Sequence, residues 1–197
     1  MRFALWIARS LVIALSVSTT ANASPVDKRL AKYLISAEDA PAGWAADGAD
    51  GTLKGTRGTL CPTMRYPPLA AAVSRNLSDD SGNDVVVVSV TRFATTADAG
   101  RTIAEWRAKA PACAPKLGDF AHKVTRFGAA AIVAAGDESA AFRSRFQDAS
   151  GNGYTFRVIV FRVGSLVGLV GHSYFGGFSE ADATKMAQTM ARRMAAG

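Results

Sequence analysis

The sequence predicts an α+β protein built on one antiparallel sheet of about five to six strands, with a C-terminal three-strand meander and helices on both faces. Three observations carry this. Residues 139–173 hold three extended stretches divided by turn residues, Val85–Phe93 is almost continuously β-branched, and two amphipathic helices follow well-formed caps. With 197 residues, 49% hydrophobic and 20% charged, the chain suits a single domain with a real core rather than a disordered tail, coiled coil or collagen-like repeat.

Residues 1–23 read as a secretory signal peptide. Arg2 and Arg9 form the basic flank, Leu11 to Val17 the apolar stretch, and Ala21, Asn22 and Ala23 a small-x-small cleavage motif. The apolar stretch falls short of the ~20 uninterrupted residues that span a bilayer, so the expected mature domain runs 24–197 with no transmembrane helix. The expected location is the cell exterior or envelope. The formal charge of +7 includes Arg2 and Arg9; without them 21 basic side chains face 16 acidic ones. That modest excess suits a small anion, but no basic run tracks a phosphate backbone, and nucleic acid is not an expected partner. Cys61 and Cys113, an even pair in an oxidising compartment, are expected to form a disulfide.

The elements follow in order. Leu30, Tyr33 and Leu34 mark a short helix ending near Ser36, and Pro41 to Trp44 a turn. Ala45 to Pro62 reads as an irregular loop rich in Gly, Thr and Asp. Pro67 and Pro68 are placed where helix starts tolerate proline, so a helix is expected over about 68–77. Val85–Phe93 reads as a central strand covered on both faces. Thr95 and Asp98 form a capping box for a helix over 96–110, whose stripe is Ala99, Ile103, Trp106 and Ala110. Lys123–Phe127 and Ala131–Ala135 are weaker strand candidates.

In the meander, Phe142, Ser144 and Phe146 alternate with Arg143, Arg145 and Gln147, and Tyr154, Phe156, Val158 and Val160 with Thr155, Arg157, Ile159 and Phe161. If the even positions share a core face, the loop around Gly151 must have an odd length, three or five residues. Gly164 and Ser165 suit a two-residue turn with positive φ at the glycine, setting Leu166 and Val170 beside Val163 and Ile159, and Val167 and Leu169 beside Val160 and Val158. The second face is then apolar at one end and cationic at the other, where Arg143, Arg145 and Arg157 gather. The final helix, capped by Ser179 and Asp182 with Ala183, Met186, Met190 and Met194 as its stripe, is expected to cover the apolar end.

Chemistry is sparse. His122 and His172 have no partners at ligand spacing, so no metal or other cofactor is expected. Ser173 beside His172 is no triad, since neighbours on a strand point to opposite faces. Asp137 and Glu138 sit where a turn begins a strand and read as structural. Gly168 and Gly171 lack phosphate-loop spacing and read as sites of close approach to the sheet. No catalytic residue is assigned. Like charges at i and i+2 on one strand, with a third on its neighbour, repel unless solvent or an anion intervenes, which makes Arg143, Arg145 and Arg157 the candidate ligand contacts. The other reading of these arginines is a solvated strand face with long side chains laid over apolar neighbours.

The order Leu34 and Ile35, Pro41 to Trp44, Cys61, a strand ending at Phe93, a helix carrying Trp106, Cys113, then Gly136, Asp137, Glu138, Ser139 and Arg162, Val163, Gly164 resembles the secreted sensor-like domains of actinobacteria, the PknH-like extracellular sensor domain family. The resemblance implies a sheet flanked by helices, a cleft suited to a small ligand, and no enzymatic activity. The chain departs from the kinase's domain in having one candidate disulfide rather than two, and it is expected to stand without a preceding kinase or spanning helix. Two functions are then expected: capture of a small anionic or amphipathic ligand in a cleft, or association with an envelope protein through Trp44 and the loop Tyr174–Phe178.

Overall fold

The computed structural model describes residues 27–51, 60–61, 63–80, 84–117, 121–131, 134–174 and 179–197. The expected signal segment lies outside them. Seven antiparallel strands form one sheet in the order β1-β2-β3-β7-β6-β5-β4. They are β1 Trp44–Ala46, β2 Leu69–Asp79, β3 Val85–Phe93, β4 Gly128–Ala129, β5 Glu138–Gln147, β6 Gly153–Val163 and β7 Leu166–Tyr174. Helix α1, Thr96–Lys109, packs on one face and α2, Glu180–Ala196, on the other. The count exceeds the expected five to six because two edge strands, β1 and β4, are only three and two residues long. No helix among the described residues is long and apolar enough to cross a membrane.

The meander follows its parity. Gln147 pairs with Gly153, leaving a five-residue loop, and Val163 pairs with Leu166 around Gly164, whose φ is 57°. Leu166 and Val170 stand beside Val163 and Ile159 as expected, but Val160 faces Leu169 and Val158 faces Gly171, so Val167 pairs with Arg162 instead. Gly171 therefore fills a core position that a larger side chain was expected to hold.

The expected helix over 68–77 is a strand. Leu-Ala-Ala-Ala-Val has good local helix propensity, but Ala71, Val73 and Leu77 alternate onto the α2 face and the backbone pairs with β3 from Leu69 to Ser78. Long-range pairing with a valine-rich neighbour outweighs a propensity difference of about 1 kcal/mol or less per residue. Lys123–Phe127 runs beside β5 without becoming a strand, and the ladder is regular only at Gly128 and Ala129. Of 131–135, residues 132 and 133 lie outside the described set and the rest are irregular.

Both caps form. Thr95 Oγ1 accepts from the Asp98 amide at 3.0 Å, and Ser179 Oγ from the Asp182 amide at 3.1 Å while Asp182 reaches back to the Ser179 amide. The α1 core holds Trp106, Phe127, Phe142, Phe156 and Val158, pinned by the Cys61–Cys113 disulfide. The α2 core joins Met186, Met190 and Met194 to Ile159, Phe161, Val170 and the 3-10 turn Lys28–Tyr33. Asp137 and Glu138 are structural: Arg162 bonds both at 3.0 Å, and the Gly164 amide donates to Asp137 at 2.9 Å.

Candidate functional site: the uncovered end of the sheet

On the α2 side of the sheet, cross-strand pairing lines residues up in rows. One row runs Ala141, Ile159, Val170 and Val88, and α2 lies over it. The next runs Arg143, Arg157, His172 and Val86, and the one beyond it Arg145, Thr155 and Tyr174. The face thus passes from apolar to cationic over three rows, as the alternation requires.

The structure divides the three arginines. Arg157 is only 2% exposed. Its guanidinium donates to the carbonyls of Glu180 and Ala131 and lies 3.4 Å from the Glu180 carboxylate, which also stands 3.8 Å from Arg143. Glu180, the first residue of α2, therefore separates two guanidiniums that face each other across β5 and β6. Arg145 takes no part in this cluster. It is exposed, one row further from the helix. His172, 1% exposed beside Arg157, is pushed down to about 3 by burial and then by the neighbouring charge, so it is neutral.

Arg145 lines an open cleft of about 490 Å³. Lys123 and Thr125 come from the segment along the edge of β5, Arg145 and Gln147 from β5, Tyr154 and Thr155 from β6, and Tyr174 from β7. The edge segment is tied down by bonds between His122 and Gln147 at 2.6 and 2.9 Å and from the Thr125 amide to Arg145 at 2.8 Å; the Arg145 amide returns to Thr125 Oγ1 at 2.8 Å. Lys123 has φ 47°, left-handed backbone that costs a non-glycine residue roughly 1–2 kcal/mol. Strain of this kind concentrates where a side chain is aimed at a site.

One ring on this face is fixed in place: Tyr174 stacks on His172 at 4.5 Å between ring centres. On the opposite face Tyr154 stacks on Phe146 at 5.2 Å against the α1 core. The Tyr154 hydroxyl donates to Asp148, and burial and that carboxylate both push its pKa up. Burial would also raise Asp148, but bonds from Asn152, Ser150 and Tyr154 outweigh it and hold the carboxyl below its ordinary value. Asp148 is thus committed to the hairpin loop. Two cations and no carboxylate line the cleft among the described residues.

Sequence reasoning found Arg145 but missed Lys123, Thr125 and Gln147. Positive φ at a lysine has no sequence signature, and the edge segment lacks a strand period. Trp44 and Tyr174, the rings considered for a protein contact, are half-buried against the core, while 175–178 lie outside the described residues. Among the described residues no three His, Cys, Asp or Glu side chains stand together as metal ligands.

No family model matches the chain, and no curated protein matches it. Among solved structures, it is similar to the crystal structure of the extracellular domain of PknH from Mycobacterium tuberculosis, with a TM-score of 0.56. The two proteins share a fold. The match covers 89% of this chain and 100% of the PknH domain, at 14% sequence identity. So distant a PknH likeness fixes architecture and leaves the site to be read from the side chains present.

Proposed function

We propose that the chain is a noncatalytic, extracytoplasmic sensing or ligand-binding domain of the cell envelope that captures a small anion in the cleft around Arg145 and Lys123. The single observation behind this is electrostatic: a cleft of about 490 Å³ with two cationic side chains and no carboxylate among its described lining. Ligand pockets typically span about 300–1,000 Å³, with a few polar groups fixing orientation. Arg145 offers a planar fork for two parallel hydrogen bonds to a carboxylate or phosphate, and Lys123 a mobile point charge. Arg143 and Arg157 stand behind this pair and are compensated by Glu180, so they add positive potential rather than direct contact. The disulfide and the PknH-like fold support placement outside the cytoplasm.

Thermal shift of the full chain with phosphate, citrate and benzoate tests the reading. At least one of these anions is expected to raise Tm, and the K123Q/R145Q variant to lose the rise while keeping its unliganded Tm. No rise with any anion, or an equal rise in the variant, overturns it.

A further inference from the structure

We infer that the cleft takes a small saccharide bearing a carboxylate or phosphate, an inference that rests on the anion reading above. The reason is the nature of its apolar surface. Among the described lining residues there is no Ala, Val, Leu, Ile or Met, and Phe146 and Tyr154 turn their rings to the opposite face with the α1 core; the aromatic surface on the Arg145 face is that of Tyr174, beside side-chain stems. An acyl chain gains its affinity from continuous aliphatic burial, which this lining does not provide. A pyranose presents a face of C–H groups that packs on an aromatic ring, and a rim of hydroxyls that needs paired donors and acceptors.

The cleft supplies both. Tyr174 is held by its stack on His172, at 4.5 Å, so its ring plane is set before a ligand arrives and little side-chain entropy is lost on binding. Thr155 stands between Arg145 and Tyr174 in their row, and Gln147 follows on the same face of β5, with a hydroxyl and an amide that both donate and accept. Arg145 and Lys123 then receive the acid group. Bare phosphate would satisfy the cations and leave the Tyr174 ring face wet; a neutral sugar would cover the ring and leave the cations with water alone.

Calorimetric titration of the full chain with glucuronate, glucose 6-phosphate, glucose, inorganic phosphate, octanoate and benzoate decides the matter. Glucuronate or glucose 6-phosphate is expected to bind at least about tenfold tighter than glucose, phosphate, octanoate or benzoate. R145Q is expected to weaken sugar-acid and phosphate binding alike, whereas Y174L, which keeps bulk but removes the ring, weakens the sugar acids and spares phosphate. Octanoate or benzoate binding as tightly as the sugar acids overturns the saccharide assignment and leaves the anion cleft standing. The same holds if phosphate alone equals them. Failure of every anion to bind, or binding undiminished in both R145Q and K123Q, overturns the anion reading as well. The wild-type ranking decides the ligand class even if Y174L does not fold.

Discussion

Arg143 and Arg157 face each other directly across β5 and β6, and the carboxylate of Glu180 at the start of α2 is their shared counter-charge. The arrangement has an energetic sign. A buried guanidinium that loses its carboxylate keeps its desolvation cost without compensation, about 3–5 kcal/mol for a fully enclosed pair. Glu180 is 46% exposed, so water replaces part of what it supplies. E180Q is therefore expected to lower unfolding free energy by about 1–2 kcal/mol, and R157M/E180Q to recover most of that loss, in urea denaturation. An unchanged E180Q together with a severely unstable R157M would mean that the carbonyls of Glu180 and Ala131 hold the guanidinium by themselves.

That pair also shows where the sequence was legible. Alternation in β5 and β6 put Arg143, Arg145 and Arg157 on one face because a strand has no freedom to do otherwise once Phe142, Phe156 and Val158 are buried. What alternation lacks is the axis along the strand: it cannot say that α2 stops between the second and third rows, so that Glu180 meets Arg157 and misses Arg145. The helix expected over about 68–77 gives way to a strand because helix propensity is local while the ladder with Val85–Phe93 is not. The cleft required Lys123, which the edge bonds of Thr125 and His122 bring to the same cleft as Arg145.

Phe161 lies over Gly168, and the chain depends on that glycine for space. A Cβ there would stand 2.2 Å from the ring's Cζ and within 2.9 Å of both Cε atoms. The ring is fully buried in the α2 core and cannot swing aside alone. G168A is expected to cost about 1–3 kcal/mol, as overpacking in a filled core does. Guanidinium denaturation of G168A and G168A/F161L tests the cause. Restoration of stability in the double variant supports the clash, whereas additive losses would place the cost in the backbone of β7.

The Cys61–Cys113 bond ties residues ahead of β2 to the end of α1, across a separation of 52 positions. Closing a loop of that length lowers unfolded-chain entropy by an amount worth about 4 kcal/mol at 25 °C in the chain-entropy account. The paired variant C61A/C113A is expected to lose about 2–4 kcal/mol, the range that disulfides typically contribute. Differential scanning calorimetry gives the loss directly. A Tm within a degree or two of wild type would show that α1 docks without help from the bond.

His172 sets the response to acid. Burial first and Arg157 second hold its folded pKa at about 3, against about 6.5 for an unfolded histidine, so the unfolded chain binds the extra proton over that whole interval. Folded stability from this group is complete above about pH 6.5 and falls as pH drops toward 3, by at most about 1.4 kcal/mol per pH unit. Arg157 on β6 and Tyr174 on its own strand face it, while β3 offers only Val86. Carboxyls held below their ordinary value, Asp39 and Asp148 among them, begin to lose their contribution only below about pH 4, which leaves the range from about 6.5 to 4.5 to the histidine. Urea denaturation between pH 7 and 4.5 is expected to show a loss of about 2–3 kcal/mol. In H172F, which keeps a flat ring under Tyr174 and removes the proton site, that slope is expected to flatten whatever the variant's absolute stability. An identical slope in H172F would assign the acid response to another group.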